Sequence, residues 1–451
     1  MTEWVKLFCT VVLVSVLTNL FYVQPSIAKP EIITVPDNYL QIQEAINHAN
    51  PEDTIYVKAG TYPEHIIIEK NNLKIIGENK CTTIIDGQDT DTVVNIKANN
   101  TVIQGFTIRN SGHNSTDSGI NTDHSINSQI SNNNVIECNL GLYLHASSNI
   151  TLRNNTMTTN QYNFGVYGDN LQEYIQDIDT TNTVNEKPII YWVGKNNEQP
   201  PVNAGYIAII NSTNMTLQDL TLSKNWPAIL LAYSTNSDIK NITATNNMDC
   251  IWILNCTACS LTNSTISDNN WGGIALVDSS ACSIHDNNIN NNAEYGVLLS
   301  DSSNNSFYHN NFINNTSQVW LFGANSNNWD NGYSTGGNFW SDHSCTDEKR
   351  GVGQNQTGND GICDLPFTID SNNTDQYPLT TPWKPQSLQS PSISLVSCIV
   401  AGLVILITCV LILYSVKIRK QKSSIRNLRF HNYARNWFCL FLFGKRKVSG
   451  E

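Results

Sequence analysis

Charge is scarce in this chain: only 14% of its 451 residues are Asp, Glu, Lys or Arg. Methionine (4) is nearly absent and proline (14) is thin. What charge there is divides unevenly. Residues 29–391 hold 15 basic against 36 acidic side chains, a balance of −21, whereas residues 392–451 hold 10 basic against one acidic, +9. An acidic body repels phosphate backbones, which argues against nucleic acid as a partner. Low charge combined with 40% hydrophobic residues argues against disorder, which requires low hydrophobicity and high net charge. Asn, Ser and Thr fill the polar positions instead, the composition of a regular β architecture.

The ends set the expected compartment. Lys6 precedes the apolar run 7–23, and Ser26-Ile27-Ala28 supplies the small residues of a cleavage site, so residues 1–28 read as a signal peptide. Residues 393–416 carry no charge, and 24 residues at 1.5 Å each cross a hydrocarbon core of about 30 Å. Lys417, Arg419, Lys420 and Lys422 follow at once, the positive-inside pattern. The expectation is a single-pass cell-membrane protein: ectodomain outside, linker 387–392, helix 393–416 and a basic cytoplasmic tail 417–451. Cys345 and Cys363 frame a Gly/Asn/Asp-rich segment and are the expected disulfide, and sequons such as Asn99 and Asn149 fit a glycosylated surface protein.

A repeat dominates the middle of the chain. Segments beginning at Asn127, Asn149, Leu171, Asn214, Asn236, Ala258, Ala281, Asn304 and Asn327 recur every 22–23 residues, with one step of 43. Counting each start as zero, position +3 is apolar (Ile130, Leu152, Leu217, Ile239, Leu261, Ile284, Phe307), and so is +8 (Val135, Met157, Leu222, Ala244, Ile266, Ile289, Phe312). A third element follows with apolar residues two apart, such as Ile251 and Ile253, the period of a strand. Three short strands per repeat imply a right-handed parallel β-helix, each strand pairing with its equivalent one coil later. Asn and Asp recur at +5 and Asn at +11, where sharp corners favour the left-handed conformation. The expected layout is an N-terminal cap and first coils at 29–125, regular coils at 126–326, and a C-terminal cap segment at 327–386.

Two irregularities stand out. The 43-residue step carries an insertion, 181–205, expected as a hairpin or loop thrown out from one corner. The outward position of strand three reads Tyr143, Tyr167, Leu230, Trp252, Ala275, Leu298 and Leu321, an apolar stripe that something must cover. The insertion, the segment 325–386, and a ligand or partner are the three candidates.

The opening Ile33-Thr34-Val35-Pro36, Ile42-Gln43-Glu44-Ala45-Ile46 and Asp53-Thr54-Ile55-Tyr56-Val57 resemble the capping helix and first turn of secreted β-helix proteins. The closing Gly337-Asn338-Phe339-Trp340-Ser341-Asp342, Asn359-Asp360-Gly361-Ile362-Cys363-Asp364 and Gln376-Tyr377-Pro378-Leu379 resemble the NosD-like family. So does Lys187-Pro188-Ile189-Ile190-Tyr191-Trp192-Val193, familiar from archaeal members. The resemblance spans roughly residues 31–382. It implies a periplasmic copper-binding role, or the carbohydrate-binding and sugar-hydrolysing roles with which this domain is also grouped.

The residues weigh these roles differently. Copper needs clustered Met and His, and the ectodomain offers three Met and scattered His, with only His113, His124 and His145 positioned to converge. Polysaccharide hydrolases need paired carboxylates and lyases an acid-rich cation site with a basic residue, whereas the coil acids are isolated, so no catalytic residue is assigned. Calcium is the remaining cofactor candidate, at Asp360 and Asp364, although Gln and Gly hold the first ligand positions of that loop. Tyr191, Trp192, Trp226, Trp252 and Trp271 are candidates for stacking on sugar rings. The leading expectation is a non-catalytic, membrane-anchored surface protein that binds carbohydrate or a surface protein. A polysaccharide lyase or hydrolase, and a copper-handling accessory protein, are the alternatives.

Overall fold

In the computed structural model the described residues are 29–323 and 326–384. The expected signal peptide, membrane helix and basic tail lie outside them. No helix among the described residues is long and apolar enough to cross a membrane.

The chain winds as a parallel β-solenoid. The strand Ile32–Val35 comes first, and the helix Ile42–His48 then buries Ile42, Ala45 and Ile46 at the N-terminal end of the core. The Glu64 carboxylate accepts from the free amides of Ile42 and Gln43, both at 2.9 Å, and so caps the helix. In the coils, the apolar columns pair in register. Ile130 pairs with Leu152, and Ile239, Leu261, Ile284 and Phe307 follow one another down one side of the later coils. All are fully buried.

The two Asn columns have different jobs. Position +5 turns the corner: Asn132, Asn154, Asp219, Asn241 and Asn263 have φ between 49° and 58°. Position +11 does not. Its asparagines lie inside the coil, Asn269 donating through Nδ2 to Asn292 Oδ1 at 2.8 Å and Asn292 to Asn315 Oδ1 at 2.9 Å. The left-handed residue sits one place earlier, at Asn246, Asp268 and Asn291. Each buried amide also satisfies a backbone N–H of the previous coil, as Asn292 Oδ1 does for Asn269.

The segment 181–205 does begin as a hairpin, but it is built into the sheet and not thrown out from a corner. Thr183–Val184 extends the second side of the early coils, paired with Thr156–Thr158. The chain then reverses, and Lys187–Val193 runs antiparallel to it before pairing in parallel with Tyr206–Ile210, Ile189 opposite Tyr206 through Val193 opposite Ile210. One 13-stranded sheet results. It is the second side of the early coils and, past the reversal, the third side of the later ones. The solenoid is therefore two stacks sharing a sheet.

Alternation along the shared strands feeds both cores. Tyr206, Ala208 and Ile210 join the early core, while Ile207 and Ile209 join the later one. Leu230 and Ala232 likewise face one core, and Ile229 and Leu231 the other. Burial on both faces explains the unbroken apolar runs Tyr206–Ile210 and Ile229–Ala232. It also identifies what covers Leu230: the early stack itself.

Register corrects the outward stripe at two points. Val166 pairs with Leu144, which moves Tyr167 beside His145 and puts Gly165 beside Tyr143. Trp320, not Leu321, continues the outward column after Leu298. The residues from 326 onward close the later core with Trp329 and Trp340, stacked on Phe307 and Phe312 at 4.4 Å each. Cys345 and Cys363 are joined by a disulfide in this closing segment.

Candidate functional site

The third side of the early stack ends at Tyr162–Tyr167, where Gly165 bridges to Trp226 in place of a full strand. Beyond this edge the outer face of the shared sheet emerges from cover. Between the two lies a cavity of roughly 800 Å³. Its wall carries Tyr143, His145 and Tyr167; its floor is the outward column Trp252, Ala275, Leu298 and Trp320. Trp226, Trp271, Tyr295 and Phe322, with Tyr174 and Tyr233, complete the aromatic lining, and Asp169, Asn255 and Asp278 are among the polar groups.

The rings fall into two classes. Trp226 is held inside, 8% exposed, stacked on Tyr143 at 5.1 Å with an interplanar angle of 23°. Tyr167 and Trp271 are exposed by 37% and 39%, so both present ring surface to a ligand, although His145 stacks on one face of Tyr167. The inner rings thus fix the shape of the groove and the outer ones offer surface.

One carboxylate is built into the lining. Asp249 is buried, its Oδ1 accepting from Tyr295 Oη at 2.9 Å and its Oδ2 from Trp226 Nε1 at 3.2 Å. Burial pushes its pKa up, and the hydrogen bonds from Tyr295 and Trp226 only partly oppose that. With both oxygens accepting from groove rings, Asp249 orients Tyr295 and Trp226.

The five aromatic residues singled out by sequence separate here. Trp226, Trp252 and Trp271 meet in the groove. Tyr191 and Trp192 do not line it. Tyr191 lies in the early core, donating through Oη to the Tyr174 carbonyl at 2.6 Å. Trp192 packs on the later core, with Lys195 Nζ 5.8 Å above its ring. Consecutive strand residues face opposite ways, so these two never act together. Tyr295 and Trp320 escaped the sequence reading, and Tyr143 and Tyr167 entered it only as members of the outward stripe; the pairing of Tyr167 with His145 was the signal that a correct register would have exposed.

Asp360 and Asp364 sit in the closing segment. Asp360 accepts from the amides of Gly351 and Ile362, and Asp364 from those of Glu348 and Lys349. They act as loop caps there. The one group of three or more potential metal ligands among the described residues is Asp123, His124 and His145, in which His113 takes no part.

A family model described as "Periplasmic copper-binding protein (NosD)" matches residues 176–345. The chain carries a NosD-like right-handed parallel β-helix. Among solved structures, an alginate lyase from Paenibacillus sp. str. FPU-7 is similar at 13% identity, over 57% of this chain and 94% of that one, with a TM-score of 0.32. The catalytic unit of a GH87 α-1,3-glucanase from Streptomyces thermodiastaticus strain HF3-3 aligns at 10% identity over 65% and 68% of the two chains, TM-score 0.31. The A-module of the Azotobacter vinelandii mannuronan C-5 epimerase AlgE4 aligns at 14% identity over 63% and 92%, TM-score 0.27. No curated protein matches the chain in sequence.

Among the described residues within 176–345, no three His, Cys, Asp or Glu side chains converge as metal ligands, the buried free thiols Cys250, Cys256, Cys259 and Cys282 included. Met215 and Met248 are buried in apolar surroundings, at 1% and 7% exposure. His285 and His309 share Asp286, but His309 is stacked on Trp383 at 3.6 Å, with its Nε2 3.0 Å from the Thr335 carbonyl oxygen. That ring is already committed on both sides.

Proposed function

We propose that this protein binds carbohydrate in the aromatic groove between its two stacks, without cleaving it, at the cell surface. The observation that carries the reading is the groove itself. Sugar rings present C–H faces that stack on indoles and phenols, and a concave site with a few polar groups along its rim orients the hydroxyls. Tyr167 and Trp271 offer ring surface, and Asp169, Asn255 and Asp278 offer hydrogen-bond partners. Residues 393–416 would anchor the chain, leaving the acidic solenoid outside.

The absence of cleavage rests on Asp249. A general acid needs a proton aimed at the leaving group, whereas both oxygens of this carboxyl accept from Tyr295 and Trp226. A lyase or hydrolase is the second reading, supported by the raised pKa of the same group. A glycan array probed with the full-length protein, followed by product analysis of every hit, separates the two. Binding with intact glycan supports the proposal. Cleaved product supports the second reading, and the absence of any glycan hit overturns both.

A further inference from the structure

Strand register brings His145 onto two side chains that are neighbours in sequence, Asp123 and His124. Asp123 ends the strand Ser118–Asp123 and pairs directly with His145, which ends Leu140–His145 one coil later. His124 follows Asp123 at the corner, in the left-handed conformation with φ 55°. Asp123 Oδ1 lies 2.7 Å from His124 Nδ1 and 3.3 Å from His145 Nδ1. One ligand atom from each of the three lies within 4.8 Å of the others.

The geometry points to a divalent metal site at Asp123, His124 and His145, taking a borderline ion of the zinc class. Three donors around one tetrahedral ion, at about 2.1 Å each, stand about 3.4 Å apart, and the two separations to Asp123 already approach that. Two imidazoles and one carboxylate are the donor set of open zinc sites, where a fourth position stays free for water or a ligand oxygen. A hard ion such as Ca²⁺ wants six or more oxygens, which this corner does not supply. Soft Cu(I) wants sulfur, and no Met or Cys belongs to the group, whereas Cu(II) accepts imidazole and counts among the borderline divalent ions that fit here. The site lies outside residues 176–345, so the matched family description does not cover it.

The surroundings hold the donors in place. The His145 ring stacks on Tyr167 at 5.7 Å and lies 5.7 Å from Tyr143, both of which line the groove. His124 is largely exposed, with 72% of its side chain accessible, which leaves the ion a route in from solvent.

The test needs no sugar, so its result is independent of the carbohydrate reading. Metal-stripped full-length protein is titrated with Zn²⁺ by calorimetry and with Co²⁺ by visible absorption. One equivalent of Zn²⁺ should bind, displacing Co²⁺ and its d–d bands. His124→Ala and His145→Ala should each weaken binding by about tenfold or more. Asp123→Asn should weaken it as well, and His285→Ala should leave it unchanged. Because His124 is exposed, His124→Ala should melt like the wild type, which separates ligand loss from unfolding. Absence of Zn²⁺ binding, or binding equally tight in His124→Ala and His145→Ala, would overturn the proposal.

Discussion

Leu230 and Leu298 occupy the same outward column of the same sheet, three coils apart. Leu230 is fully buried and belongs to the early core. Leu298 is partly exposed and lines the groove. Nothing in the strands explains the difference, since both carry apolar residues on both faces. What differs is the neighbour: the early stack covers the sheet as far as Leu230 and Ala232, then recedes. An outward apolar column on a solenoid is thus a core position or a binding surface according to what lies across from it.

The sharpest way to break this comparison is to place the same polar group at both ends of the column. Leu230→Asn buries an amide without a partner and leaves a void, at a cost of about 3–5 kcal/mol. Leu298→Asn should cost under about 1 kcal/mol, because water reaches it. Chemical denaturation of both variants checks this, and equal losses would contradict the register. Ile251→Asn, facing the later core with no exposure, should behave like Leu230→Asn.

The far end of the later stack gives a second contrast, in pH. Burial pushes the Asp375 carboxyl up to about 7, against hydrogen bonds from the Asn338 amide and Trp340 Nε1 that favour its ionised form. The unfolded chain releases this proton near pH 4, while the folded chain keeps it to about pH 7. Stability from this group is therefore full below about pH 4 and is lost as pH rises towards 7, by an amount on the order of 4 kcal/mol. Asp375→Asn should flatten that fall. Denaturation midpoints from pH 4 to pH 8 read the difference.

Within the groove, Trp271→Ala should weaken glycan binding about tenfold, roughly 1.4 kcal/mol, because that ring is exposed and supplies contact area. Trp192→Ala, packed away from the groove, should leave binding unchanged. Titration of an array hit compares the two. Smallest of all is Asp238→Asn. Its side chain is exposed and accepts from Ser260 Oγ at 2.7 Å, so the change should stay within about 0.5 kcal/mol by the same denaturation assay.

The columns of the coils were legible because parallel stacking repeats one environment, and Ile239, Leu261, Ile284 and Phe307 all meet it. The switch between stacks was hidden. Ile189-Ile190-Tyr191-Trp192 is apolar on both faces, and a run of that kind reads alike whether it lies under a cover or divides two cores. The groove was half legible for a related reason. Trp226, Trp252 and Trp271 announce an aromatic surface, but the wall facing them, Tyr143 and Tyr167, comes from coils more than fifty residues earlier. Only the change of phase at 181–205 brings that wall opposite the floor. The register at Tyr167 slipped because Phe164, Val166 and Tyr167 are all apolar, so hydrophobicity alone does not choose between inward and outward positions.

The central claim is that the open part of the shared sheet is the binding surface. Ala275 lies on the groove floor between Trp252 and Leu298. Ala275→Trp would fill the space there while leaving both cores untouched. Titrating a glycan hit into wild type and Ala275→Trp, with thermal melting of both, tests the claim directly. The account predicts that binding is lost while the melting temperature holds. Undiminished binding in a folded Ala275→Trp variant would contradict it.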